Sequence, residues 1–336
     1  MEKNTLLTIS RQTGYSISTV SRVLAGKGRE YRISDKAIAI IKKCAADGNY
    51  TPNLIAKGLR MNKTDVVGLL VPSIANPFFA SFSSIISSGL RKAGYNIILI
   101  DSMETEELQT EAIDSFLARK VDGMIVVPVG TSPQLLESVS RHTPVVLIDR
   151  YYPDTRLPYV CTDNYSGGYV ATSHLISRGY RRLLAIQGVQ SSMPNRERIR
   201  GFHAAIFAVS SSGMSELVTG DDFSEKNGYD KTMQAFRSGF RPDAIFAFST
   251  TIMLGSIRAI KELGLRIPDD VAIISFDDNE FLDYLDPPVT RIAQPMSEIG
   301  HQATDILLKM MADPEVYGDC PPQILIRPSL VEGRSC

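Results

Sequence analysis

Gly14-Tyr15-Ser16-Ile17-Ser18-Thr19-Val20-Ser21-Arg22-Val23-Leu24 sets the architecture of the N-terminal region. Gly14 breaks the run before it and permits a tight turn. Ser16 is a helix N-cap, and Val20, Val23 and Leu24 then recur at helical spacing. Upstream, Thr5 caps a first helix whose apolar face carries Leu6 and Ile9 and which reaches Thr13. Downstream, Gly26 ends the second helix. Ser34 caps a third, with Ile38, Ile41 and Ala45 on one face and Gly48 as its stop. Two short helices joined by a Gly-containing turn form a helix-turn-helix pattern.

In that pattern the second helix enters the major groove. With Val20, Val23 and Leu24 turned inward, Ile17, Ser18, Ser21 and Arg22 face outward. Arg22 can donate two bonds to guanine O6 and N7, and Ile17 can touch a thymine methyl. Ser16, Thr19 and Ser21 are short donors suited to phosphate oxygens, and Thr5 is grouped with them. The competing reading is an ordinary three-helix domain with a solvated basic face. Charge bears on the choice. The 336 residues carry a formal net charge of -1, but unevenly. Residues 1–63 hold twelve basic and four acidic residues, net +8, which leaves -9 on the remainder. That split predicts a small polyanion-binding module on a larger acidic body.

A single core rarely grows beyond about 250–300 residues, so two or more domains are expected. No secretory signal is read at the N-terminus, and no run of about 18 apolar residues predicts a membrane span. Cys44, Cys161, Cys320 and Cys336 form no C-x-x-C pair, and His142, His174, His203 and His301 are isolated. They read as reduced cysteines and ordinary histidines, with no metal and no cofactor expected.

From Asp65 onward, apolar runs alternate with helical stretches. Val66–Val71, Asn96–Ile100, Gly123–Val129 and Pro144–Ile148 are candidate strands of one lobe; Leu183–Ile186, Ala244–Phe248 and Val271–Phe276 of a second. Near-continuous apolar strands between helices indicate parallel sheets covered on both faces. Ligands of such folds sit outside the carboxyl ends of strands. Asn76, Phe78 and Phe79 follow the first strand, Asp149 and Arg150 the fourth, and Asp277 and Asp278 the last. Arg196, Arg198 and Arg200 open a helix. Asp277-Asp278 could suggest an enzyme, but adjacent residues on a strand end point apart. No P-loop, G-x-S-x-G elbow or zinc signature accompanies them. Each acid has an alternative as a helix cap or loop carboxylate.

The Gly14–Leu24 segment resembles the G-V-S-x-x-T-V-S-R-V-L signature of the lactose/galactose repressor (LacI/GalR) family. The resemblance continues through Asn49-Tyr50-Thr51-Pro52-Asn53 and Ala56-Lys57-Gly58-Leu59-Arg60, then Val71-Pro72-Ser73-Ile74-Ala75-Asn76-Pro77-Phe78-Phe79, and on nearly to the C-terminus. It implies an α/β chain: an all-α helix-turn-helix domain plus two doubly wound parallel lobes like those of periplasmic binding proteins. The implied domains are residues 1–49, a hinge helix at 50–63, one lobe at 64–162 and 293–320, and the other at 163–292 and 321–336. In the hinge it adds Asn53, Ala56, Lys57 and Leu59 to the DNA contacts, with Leu59 wedged into the minor groove or, alternatively, packed against a neighbouring helix. A helix that short is marginal alone and would fold against DNA and its mate.

The resemblance places a small-molecule effector, a sugar or sugar derivative, between the lobes. Its contacts would be Asn76, Phe78, Phe79, Asp149, Arg150, Arg196, Arg198, Ser249, Thr250 and Asp277, with one of the two phenylalanines in the core. Aspartate and arginine make paired bonds to adjacent hydroxyls, and an aromatic ring covers a sugar's C–H face. Three departures stand out. Ser10 replaces the usual Ala of the first helix, the Lys27–Ile33 loop is longer than usual, and Ser249-Thr250 stand where the family has Asn-Asp. Arg29 and Arg32 in that loop are candidates for further phosphate contacts. The implied function is a non-enzymatic transcriptional regulator, a repressor of double-stranded operator DNA in the bacterial cytoplasm at the nucleoid, with no membrane partner. It would act as a homodimer whose mate packs on the small-residue helix from Phe78 to Ala93, without a C-terminal tetramerising coil. Effector-driven lobe reorientation would control hinge spacing. The alternative is a solute-binding or sugar-processing protein with an accessory basic domain.

Overall fold

The computed structural model describes residues 5–50, 63–209 and 213–336. The chain divides into two compact units, Met1–Asn62 and Lys63–Cys336. The first holds α1 (Leu6–Thr13), α2 (Ile17–Leu24) and α3 (Asp35–Asp47). Thr5, Ser16 and Ser34 cap them as their positions predict, each accepting a backbone N–H three residues on. Gly14 turns the chain in the left-handed conformation, φ 73°. Ser10, the departure in α1, donates its hydroxyl to the Tyr15 carbonyl at 2.6 Å and ties that turn shut. Ile9, Val20, Val23, Ile41 and Ala45 form the core, with Leu24 and Ile38 half-buried at its edge. Residues 51–62, and with them Asn53, Ala56, Lys57 and Leu59, lie outside the described residues.

The second unit contains two six-stranded sheets. The first lobe runs β1 (Val66–Val71), α4 (Pro77–Lys92), β2 (Asn96–Asp101), α5 (Glu106–Ala118), β3 (Gly123–Val126), α6 (Gln134–Ser140), β4 (Val145–Ile148) and β5 (Tyr159–Thr162). The second runs α7 (Asn164–Ser177), β6 (Arg182–Ile186), α8 (Met193–Ala208), β7 (Ser215–Thr219), α9 (Glu225–Arg237), β8 (Ala244–Ala247), α10 (Thr250–Glu262), β9 (Ala272–Phe276) and β10 (Thr290–Ala293). Then come α11 (Met296–Ala312), β11 (Gln323–Ile326) and β12 (Ser329–Val331). The sheet orders are β11-β5-β4-β3-β1-β2 and β12-β10-β9-β8-β6-β7. Each is doubly wound, and β12 alone in the two sheets runs antiparallel. The central strands are buried throughout because helices cover both faces, which is why they read as apolar runs. No helix among the described residues is long and apolar enough to cross a membrane.

The chain crosses between the lobes three times: after β5, after β10 and after β11. The implied lobe boundary at 320/321 moves. β11 pairs in parallel with β5, so the first lobe keeps the chain to Ile326. Residue 293 belongs to β10 and hence to the second lobe. β11 is a four-residue edge strand behind Pro321-Pro322, too short to announce itself in sequence. The crossings bond to one another. Asp163 N–H donates to the Ile326 carbonyl at 2.8 Å, and the Thr162 hydroxyl donates to Gln294 Oε1 at 2.5 Å.

Part of the small-residue face of α4 is used within the chain. Gly89 lies against Thr304, and Ile85 fills the space over Gly300, so α11 takes one side of the helix. Ala80, Ser84 and Ser88, at i, i+4 and i+8, stay exposed.

Helices α7 and α8 meet backbone to backbone. A Cβ at Gly168 would overlap the Arg198 carbonyl, and one at Gly201 would overlap the Tyr165 carbonyl. Gly168→Ala is expected to lower stability by about 1–3 kcal/mol in denaturant unfolding, as overpacking does, and to displace Arg198. Unchanged unfolding would reject backbone contact as what sets this helix pair.

Candidate nucleic-acid interface and interlobe site

On the helical unit, Ile17, Ser18 and Arg22 are exposed on α2, while Val20 and Val23 are buried. Ile17 leaves 46% of its surface to solvent, so its side chain is accessible to a base edge. The short hydroxyls divide. Thr5 and Ser16 spend their oxygens as caps, on Thr8 N–H and Thr19 N–H, both at 3.2 Å. Thr19 is half-buried and lies 2.8 Å from Ser16 Oγ. Ser21 is half-buried too. A capping hydroxyl can still donate its own proton, so these residues remain compatible with phosphate contacts. Arg29 stands 3.6 Å from Asp35, both fully in solvent, an exposed pair that contributes little. The Arg22 guanidinium carbon lies 4.1 Å from the centroid of the Tyr31 ring. Tyr31 was not marked by sequence, because its partner is nine residues away across the long loop.

In the two-lobed unit, β4 and β9 end in Asp149 and Asp277, both buried and both left-handed at φ 62° and 77°. Asp277 accepts from Gln294 Nε2 at 2.6 Å and from the Thr250 backbone N–H. Arg198, 3% exposed, comes from the first turns of α8. Its Nε donates to Asn164 Oδ1 at 2.8 Å, its Nη1 to the Phe248 carbonyl, and its flat face covers the Phe276 ring at 3.6 Å. Arg150 forks onto Glu104 with two bonds of 2.7 Å. Its Nε is buried without a hydrogen-bond partner among the described residues, 3.7 Å from Asp149 Oδ2.

The charges speak to each other across the lobes. Burial pushes the Asp149 carboxyl up to about 6; Arg150 and Arg198 oppose that, while Asp277 and Glu104 add to it. Burial also raises Asp277, against the pull of Arg198 and the Gln294 bond. Arg198 is held below its usual value by burial, although Asp277 and Asp149 favour its charge. Two buried acids and two buried guanidiniums, with Glu104 at the rim, thus share one region.

Not every candidate joins it. Phe78 packs edge-on against Phe79 and Phe82 in the core, whereas Phe79 lies under Arg150 at 5.9 Å. Asn76 caps α4, accepting from Phe78 N–H at 3.0 Å. Arg196 is exposed, because two residues along a helix turn a side chain about 200° away from Arg198. Ser249 caps α10, and Thr250 is bonded to Asn279 and the Phe276 carbonyl, so both short side chains are buried and occupied. Asp278 points away, to Arg291 at 2.6 Å, as adjacent strand-end residues do. Sequence reasoning missed Glu104, Asn164, Thr162 and Gln294. Each is an ordinary polar residue until the fold brings it to a carboxylate or guanidinium. No cluster of three His, Cys, Asp or Glu fit for a metal exists among the described residues.

Residues 64–327 match the family described as periplasmic binding proteins and sugar binding domain of LacI family. The chain is 30% identical over 334 residues to the HTH-type transcriptional repressor PurR of Edwardsiella ictaluri, covering 98% of this chain and 96% of the relative. It is 27% identical over 312 residues to the ribose operon repressor of Escherichia coli K12, covering 92% and 94%. It superposes on the Lac repressor dimer bound to operator and the anti-inducer ONPF with TM-score 0.87, 25% identity and 99% of both chains. A complex of the regulator CelR with cellobiose matches with TM-score 0.73, 26% identity, 99% of this chain and 100% of that one.

The raised Asp149 has a consequence for stability. Its folded value lies above the unfolded one, near 3.9, so its contribution is most favourable at low pH and is lost as pH rises through about 6. Asp149→Asn is therefore expected to be more stable than the parent at pH 8, by up to about 2–3 kcal/mol. The gap should fall to about half by pH 5 and close toward about pH 4. Melting curves at about pH 4 and about pH 8 check this, and a gap that does not depend on pH would reject a strained buried charge.

Proposed function

The chain belongs to the LacI family, and on that premise we propose that it binds a palindromic operator as a homodimer and represses transcription under the control of a small carbohydrate held between its lobes. Like its relatives it is a transcriptional regulator, not an enzyme. The observation that carries the proposal is that one chain combines an exposed helix face suited to bases with a buried ionic cluster suited to a polyhydroxyl ligand. The proposed place of action is the nucleoid in the bacterial cytoplasm.

On the DNA side, Arg22 reads guanine and Ile17 a thymine methyl, while the α2 hydroxyls and basic side chains hold phosphates. The net +8 of residues 1–63 supplies a non-specific, salt-sensitive attraction. Two such heads on a two-fold axis would read the two half-sites, with the free Ala80-Ser84-Ser88 side of α4 available to the mate.

On the effector side, Asp149 and Arg150 belong to the first lobe, Arg198 and Asp277 to the second. A polyol bridging them would exchange hydroxyl bonds for the present long contacts, and the unpartnered Arg150 Nε is one donor ready for it. Phe79 and Phe276 offer apolar ring surface under the two guanidiniums. Gln294 sits in a crossing segment and holds Asp277 with one end and Thr162 with the other. A ligand that draws on Asp277 therefore acts on the segment about which the lobes turn. The shift it can impose equals its differential affinity for the two lobe arrangements.

Arg22→Ala is expected to cost about 1–3 kcal/mol at a specific operator and little on random duplex, measured by titration at fixed salt; an equal loss on both would reject base reading. Asp277→Ala should abolish the effector's effect on operator binding and leave operator affinity without effector intact. A thermal-shift screen of mono- and oligosaccharides identifies the ligand, since one that binds only the folded state raises stability. A retained response would remove Asp277 from the site.

A further inference from the structure

We propose that Tyr31 is a positioning residue for DNA reading: its ring carries one face of the Arg22 guanidinium and aims the free in-plane N–H edge at a base, which makes the long loop between α2 and α3 part of the recognition surface. The inference rests on the reading of α2 as the base-contacting helix.

Arg22 stands in the last turn of α2, exposed, and among the described residues it makes no side-chain hydrogen bond and no ion pair. A long side chain in that state loses rotamer freedom when it docks on a base. The Tyr31 ring, centred 4.1 Å from the guanidinium carbon, removes part of that loss beforehand. Stacking uses the face of the guanidinium. The five N–H donors lie in its plane and stay free for the paired acceptors of guanine.

The ring's place is set by the loop's own bonds. Lys27 N–H donates to the Arg22 carbonyl at 2.9 Å, so the loop starts at the residue it will support. Tyr31 N–H donates to the Lys27 carbonyl at 3.2 Å, and Ile33 N–H to the Gly28 carbonyl at 2.9 Å. Gly28 is buried so closely that a Cβ there would stand 2.8 Å from Ile38 Cδ1. Arg32, left-handed at φ 55°, turns the chain so that Ile33 returns to the core. Shortening the loop would remove the ring from Arg22. The loop thus has a physical use beyond joining α2 to α3. Tyr31 remains nearly half exposed, in solvent together with Arg22 and open to DNA.

The experiment uses the full chain. A randomised duplex pool is enriched for a preferred operator. Affinity for that operator and for a scrambled duplex is then measured for the parent, Tyr31→Ala, Tyr31→Phe, Arg22→Ala and the Arg22→Ala/Tyr31→Ala double variant. Tyr31→Ala should weaken operator binding about two- to fivefold, the range of an exposed cation–π contact, and leave the scrambled duplex unchanged. Tyr31→Phe keeps the ring and should bind like the parent. In the Arg22→Ala background, Tyr31→Ala should have no further effect. Two outcomes overturn the proposal while leaving Arg22 as a base reader. One is a double variant that loses the product of the single effects. The other is a Tyr31→Phe that falls as far as Tyr31→Ala, which would make the hydroxyl a direct contact. If Arg22→Ala itself leaves the base preference unchanged, the reading of α2 fails and Tyr31 with it.

Discussion

Buried charge at the carboxyl ends of two matched strands is the constraint around which the larger unit is built. Asp149 follows β4 and Asp277 follows β9, each the fourth strand of the winding in its lobe. Both adopt the left-handed backbone, a conformation that costs a non-glycine residue about 1 kcal/mol or more and that aspartate tolerates better than most. Both are also desolvated. Neither cost would be sustained on a loop free to relax. Here the strands are pinned in parallel ladders beneath covering helices, and Arg198 of the second lobe favours the charge of Asp149 in the first as well as that of Asp277 in its own. The lobes therefore meet through an interaction that holds them together and that a polar ligand can enter. The loss of stability at the raised Asp149 is the counterpart of that readiness.

Arg198 shows how packing far from the charges serves them. Its backbone carbonyl touches Gly168, its Nε is taken by Asn164 at the start of α7, and its face lies on Phe276 at the end of β9. Two elements, α7 and β9, thus fix one residue of α8. The glycines matter through the distance between helices, not through turn geometry. Gln294 plays the equivalent part for Asp277, since it stands in a crossing between lobes and joins both. The small helical unit follows a different rule. Its eight-residue helices α1 and α2 are too short to persist alone, and among the described residues its core cluster holds five buried side chains. Most of its surface is left for a partner, and the uneven charge of the chain says that the partner is an anion.

What could be foreseen was local. Thr5, Ser16 and Ser34 cap helices because a hydroxyl and an amide three residues on are neighbours in any fold. The long buried strands declared themselves because burial on both faces leaves no polar position. β5, β7, β10, β11 and β12 did not, being short, carrying polar residues among the apolar ones and lying at or beside a sheet edge. Among the candidate ligands, Asp149, Arg198 and Asp277 converge, whereas Arg196 turns outward and Asp278 is taken by Arg291. Their spacing alone could not separate Arg196 from Arg198. The choice depends on which side of α8 faces β9, and that is a contact between segments about eighty residues apart.

The amino-acid sequence by itself determined the helix-turn-helix, the alternation of parallel strands and helices, the separation of a basic head from an acidic body, and the family. These follow from caps, periodicity, charge and a contiguous motif, all properties of neighbours along the chain. Only the tertiary structure decided where the first lobe ends, that Gln294 links a crossing segment to Asp277, that the Arg150 Nε is left without a partner, and that Tyr31 lies under Arg22. Each of these is a meeting of side chains or strands brought close by folding, and the energy that selects it, whether desolvation, stacking or ladder pairing, does not exist until the segments are in contact.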